Sequence, residues 1–168
     1  MKVLFGYAIS ACFSFLLGFP LEAQEGAIIP AGEEWEYQVS PKEHPKVISD
    51  VGFSAADWEL GKAGFGYGDD DDATVVNIRK KATRLAIRQI FELPFESDRS
   101  KIALKVRYDD AFEIWVNGQH LKDVGLKRDS KGEVSEVSSH EAKKDKWDVI
   151  PLSRYAKVFQ PDQNCIVL

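Results

Sequence analysis

A chain of 168 residues with 22 basic and 27 acidic side chains carries a net charge of −5. That length suits one domain with an N-terminal extra, and the mild acidity argues against nucleic acid or anionic lipid as the main partner. Basic residues lie scattered or in mixed clusters such as Arg79-Lys80-Lys81, without the aromatic interleaving of a nucleic-acid groove. Lys2 is followed by an almost unbroken apolar run from Val3 to Phe19, and Ala23 offers a small residue for cleavage. This is the layout of a secretory signal peptide over 1–23. The run is short for a membrane span and no stop-transfer charges follow it, so no membrane span is expected. The mature chain, 24–168, is expected outside the cytoplasm, extracellular or periplasmic. Ile9-Ser10-Ala11-Cys12 faintly matches a lipoprotein box, but the apolar run continues past Cys12. Cys12 leaves with the leader, so Cys165 stands alone and no internal disulfide is available. Cys165-Ile166-Val167-Leu168 also spells a prenylation box, a cytosolic modification that conflicts with the leader; Cys165 reads instead as a small hydrophobe in a final strand.

In chain order, Glu34 to Val39 alternates as a first strand, and Ser40 to Asp50, with Pro41 and Pro45, reads as a loop. Phe53 to Trp58 is a short turn or one helical turn that Ser54 can cap. Gly61 to Gly68 holds four glycines, which permit left-handed backbone and close chain approach, and is expected as ordered irregular structure ending in the acidic run Asp69 to Asp72. Thr74 to Ile78 is β-rich, Arg79 to Thr83 is a polar connection, and Leu85 to Leu93 is a strand stopped by Pro94. In Lys101 to Leu121 the chain declares its architecture. Ile102, Leu104, Val106 and Tyr108 alternate with polar or small residues, as do Phe112, Ile114 and Val116, the period-2 pattern of half-buried strands. Asn117-Gly118 then predicts a type I′ hairpin turn, because both residues tolerate positive φ, and a return strand from Gln119. Val124 to Lys146 is a long polar segment with a surface excursion over Lys127–Gly132 and a brief pairing near Val134 and Val137. Trp147, Val149, Pro151 and Leu152 return to the core, Ser153 to Phe159 forms a helical turn, and Pro161 to Asn164 turns into a last strand from Cys165. Short strands separated by turn clusters predict an all-β sandwich or barrel.

Several pieces in order resemble a known pattern: Phe53-Ser54-Ala55-Ala56-Asp57-Trp58, Gly64-Phe65-Gly66-Tyr67-Gly68-Asp69, Ile87-Arg88-Gln89-Ile90-Phe91-Glu92-Leu93, Asp109-Asp110 leading to Trp115-Val116-Asn117-Gly118, and Phe159 to Val167. Their order is similar to galactose-binding-like jelly-roll domains of secreted bacterial multidomain proteins, over about residues 28–168. Departures are Ala55-Ala56 for an acidic pair, Gln89 for an arginine and Asp162 for a turn glycine. The resemblance implies an antiparallel jelly-roll β-sandwich over 24–168, cut short at its C-terminal end because the family's closing strand lies beyond Leu168. It also implies a neighbouring catalytic domain, such as a phosphatase or glycosidase.

Four aromatic platforms invite a sugar reading, since ring faces stack on the apolar faces of sugars. Trp58 and Trp147 fall at element edges and read as core. Trp115 lies opposite Phe112, Ile114 and Val116 on its strand and is the binding candidate. Arg88 offers a bidentate donor for a sugar hydroxyl pair or a carboxylate; the favoured, structural alternative is an outward-facing strand charge paired with an acid on the neighbouring strand. Asp109 and Asp110 offer further ligand oxygens. Asp69, Asp70 and Asp72 are candidate ligands for a structural calcium ion, although four adjacent carboxylates match no calcium-loop spacing. No His-Glu-x-x-His, paired-Cys or Gly-x-Ser-x-Gly motif is present. The expectation is therefore a secreted, non-catalytic accessory module that binds carbohydrate or a cell-surface glycan. The alternative is a structural domain packed against a catalytic neighbour.

Overall fold

A computed structural model describes residues 4–7, 27–67, 72–76, 84–143 and 146–168, with the backbone alone at 4–7. The strands are β1 (Leu4–Tyr7), β2 (Glu34–Val39), β3 (Glu59–Lys62), β4 (Phe65–Gly66), β5 (Thr74–Val75), β6 (Leu85–Glu92), β7 (Ala103–Arg107) and β8 (Phe112–Val116). They continue as β9 (Gln119–Val124), β10 (Leu126–Arg128), β11 (Val134–Val137), β12 (Asp148–Pro151) and β13 (Gln163–Val167). One short helix, α1 (Pro45–Ile48), follows β2.

The main sheet has six antiparallel strands in the order β3-β2-β6-β13-β8-β9. Facing it is the sheet β1-β7-β12, while β10-β11 forms a hairpin and β4-β5 a short parallel pair. The protein is thus an all-β, sandwich-like fold. Between the sheets, Trp35, Tyr37, Ile87, Phe91, Ile114, Val116 and Ile166 pack with Leu104, Val106 and Ile150 in one buried cluster. Burying a side chain of that size stabilises the fold by about 1.5–3 kcal/mol. Among the described residues no helix is long and apolar enough to cross a membrane. Leu4–Tyr7, from the apolar N-terminal run, pairs antiparallel with β7; the rest of the expected leader, including Ala23, lies outside the described residues.

Local expectations meet the structure unevenly. The hairpin turn has Asn117 at φ 49° and Gly118 at φ 76°, as the type I′ pattern requires. The expected irregular run Gly61–Gly68 instead begins inside β3 and continues through β4. Gly61 pairs with Trp35, and a Cβ there would sit 2.7 Å from the Thr74 side chain. Glycine is used for close approach at this strand position, not for left-handed backbone. Helix also appears within the expected loop Ser40–Asp50. There Pro45 opens α1 and His44 caps it, its Nδ1 accepting from the Lys46 N–H at 3.1 Å. Pro at the first helical position and a side-chain acceptor at the cap account for it. Trp147, expected in the core, is partly exposed with the Arg107 guanidinium 4.3 Å over its ring.

Candidate functional site

The main sheet presents its second face to the segment 40–58. Ile48, Ala86, Cys165 and Val167 form a small buried cluster there, with Val51, Phe53, Trp58 and Trp115 packed against it. Cross-strand registers align Leu60, Glu36, Arg88, Val167, Trp115 and His120 in one row across all six strands. Arg88 and Trp115 therefore share a face, two strand spacings or about 10 Å apart.

Arg88 does not reach solvent. It is 1 % exposed, and its Nε donates to Ile48 O at 2.8 Å, its Nη2 to Asp50 O at 3.1 Å and Phe53 O at 3.4 Å. Its Nη1 pairs with Glu36 on β2, the cross-strand acid of the structural alternative. Its visible role is to pin α1 and the turn after it onto the sheet. Those backbone carbonyls lie outside any strand ladder, and Arg88 supplements the Phe53 N–H that donates to Asp50 O and the Cys165 thiol that approaches Ile48 O.

Trp115 is partly exposed. Its Nε1 donates to Glu113 Oε2 at 2.7 Å, fixing the indole in the sheet face. His44, at the cap of α1, meets the ring edge-on at 5.2 Å, and His120 leans on it at 5.0 Å. Beside this platform, Lys46, Val47, Asp50, Gly52 and Phe53 line a shallow depression on the pinned segment.

Below Trp115 lies a charge cluster that sequence reasoning did not find. Arg128 donates from Nε to Asp123 Oδ2 and from Nη2 to Asp123 Oδ1, both at 2.8 Å, and its Nη2 also lies 3.0 Å from Glu113 Oε1. His120 Nε2 is 3.1 Å from Asp123 Oδ1. The Arg128 hydrogen bonds hold the Asp123 carboxyl below its ordinary range despite partial burial, with His120 adding to the effect. Arg128 is shifted upward in turn, chiefly by Asp123 and against desolvation.

The remaining expected residues lie elsewhere. Asp109 and Asp110 turn the chain at the other end of β8. Asp110 has φ 67° and its N–H donates to His140 O at 3.0 Å. That turn is held from behind by His140, whose ring stacks on Tyr108 at 4.0 Å. Asp69 and Asp70 lie outside the described residues. Asp72 is described, partly exposed, at the approach to Gly66, where an added Cβ would fall 2.3 Å from its Oδ1. The structure thus brings Trp115 and Arg88 onto one face and does not bring Asp109 or Asp110 to it.

A second unforeseen element braces the site from below. Asn164, fully buried, donates to Gln160 O and Asp162 O and accepts from the Gln160 N–H. Asn117 donates to Asn164 Oδ1 at 2.8 Å and accepts from the Cys165 N–H at 2.9 Å. The hairpin turn is thereby locked to the central strand. Comparison with protein-family models, with curated proteins and with solved structures finds no match to this chain.

Proposed function

We propose that this chain is a secreted, non-catalytic module of galactose-binding-like jelly-roll type that binds carbohydrate or a glycan-bearing surface through the Trp115 face. The observation that carries the reading is the partly exposed Trp115 ring, braced by Glu113 and flanked by His44 and His120. A fixed aromatic ring bordered by hydrogen-bonding side chains is the chemistry a sugar ring requires, apolar face to ring and hydroxyls to the polar rim. Arg88 serves this site by shaping the loop that carries His44 and does not itself contact ligand. Asp123, held ionised by Arg128, is poorly suited to the general-acid role of a hydrolase, which calls for a raised pKa. Localisation outside the cytoplasm, and a structural calcium on Asp69, Asp70 and Asp72, belong to the same reading.

The test is a thermal-unfolding screen against a panel of sugars, with calcium and with chelator. A sugar at 100 times its dissociation constant stabilises the folded state by about 2.7 kcal/mol, and Trp115→Ala is expected to abolish that shift. No shift from any sugar would overturn the reading. A second reading, a packing domain for a catalytic neighbour, is favoured by Phe95 at 80 % and Leu60 at 64 % exposure. These apolar side chains are available to an apposed surface.

A further inference from the structure

On a regular strand, residues three apart point to opposite faces, so His120 and Asp123 of β9 should diverge. They do not. The β8-β9 register slips between Ile114 and Trp115, pairing Glu113 with Asp123 but Trp115 with His120. This irregularity turns His120 onto the same face as Asp123 while Leu121, between them, stays buried in the core. Bulges of this kind recur where a side chain must be re-aimed beside a site.

The result is a set of one imidazole nitrogen and two carboxylates, from Glu113, His120 and Asp123, whose ligand atoms all lie within 4.8 Å of one another. Ligands about 2.0–2.2 Å from a tetrahedral zinc ion stand roughly 3.4 Å apart, and His120 Nε2 and Asp123 Oδ1 are already at 3.1 Å. As a surface ion-pair cluster, Arg128 with Asp123 and Glu113 is complete without His120. The imidazole is the added component, and it is the one the bulge delivers. With His120 neutral, the two carboxylates and one guanidinium leave a net charge of −1, so the set still attracts positive charge.

We infer that Glu113, His120 and Asp123 form a binding site for a first-row divalent cation of the Zn2+ type, with the Arg128 guanidinium standing in the cation's place until the ion displaces it. Mixed nitrogen and carboxylate ligands suit zinc and its neighbours, whereas calcium favours all-oxygen sets. Arg128 belongs to the three-residue strand β10 and its side chain is partly solvent-exposed, so it can swing aside. Three protein ligands leave a fourth position for water or a ligand hydroxyl.

Isothermal titration of the full chain with zinc chloride tests this, with calcium chloride in parallel. One zinc ion per chain is expected. His120→Ala and, separately, Asp123→Asn should each weaken zinc binding on the order of tenfold or more, and Arg128→Ala should tighten it by removing the competing cation. Tryptophan emission should change on zinc addition, and Trp115→Phe should lose that change while still binding zinc. Calcium should give no comparable heat. Zinc affinity unchanged by both ligand substitutions would overturn the inference, as would no zinc uptake by either the native chain or Arg128→Ala. Zinc and sugar binding are read separately, so either can fail without the other.

Discussion

Arg88 and Arg128 are both strand arginines paired with carboxylates, yet one builds the molecule and the other borders a site. Arg88 lies under α1 with three backbone carbonyls as further acceptors. In contrast, Arg128 meets its acids at the rim, with 30 % of its side chain exposed. Burial decides the difference. A desolvated guanidinium cannot leave without stranding its acceptors, whereas at the rim water can replace every contact.

Substitutions probe that contrast, from the largest effect to the smallest. Arg88→Ala leaves Glu36 and the carbonyls of Ile48, Asp50 and Phe53 without this donor, and should cost about 3–5 kcal/mol in urea unfolding. Arg88→Lys should recover only part, since an ammonium cannot reproduce the planar fork. Loss below about 1 kcal/mol would mean that water enters beneath α1 and that burial is not the deciding variable. Asn164→Ala removes a neutral buried group from the same sheet and so separates burial from charge; it should cost about 2 kcal/mol. Arg128→Ala should cost about 1 kcal/mol or less, and the difference should shrink in high salt, whereas that of Arg88→Ala should not.

A pH dependence completes the set. Tyr37 donates to Glu59 at 2.6 Å, and that bond, burial and the negative carboxylate together raise its pKa to about 12. A folded pKa above the unfolded value of about 10 means that its stabilising contribution is complete below pH 10. It is then lost as the pH rises from about 10 to 12. Tyr37→Phe should flatten this alkaline limb, as followed by unfolding midpoints across that range.

The same contrast explains what could be read from sequence. The Phe112–Gln119 hairpin was legible because alternation and an Asn-Gly turn are properties of adjacent residues. In the glycine run the close approach is met at Gly61 and positive φ at Gly64. The short strands β3 and β4 were not legible, because Gly61 is specified by Trp35 and Thr74, which meet it only after the sheet forms. Trp115 was correctly placed on the face away from Phe112, but its flanking histidines belong to α1 and β9. Arg88 resembles any strand cation until the 48–53 segment folds over it, so sequence alone favoured an outward-facing strand charge paired with a neighbouring acid; the pairing holds, with Glu36, but the side chain is buried. The Glu113–His120–Asp123 set was hidden for a sharper reason. The spacing of His120 and Asp123 predicts opposite faces, and only the slipped register overrides it.

Cys165 sits at the centre of the main sheet, fully buried, with burial pushing its thiol up to about 12. Thiol reagents attack the thiolate, so the intact sheet should leave this residue unreactive at neutral pH. Alkylation then requires β13 to part from β6 or from the loop above it, and its rate counts those openings. The chain thus carries an internal stopwatch, one sulfur that records how often its middle strand comes undone.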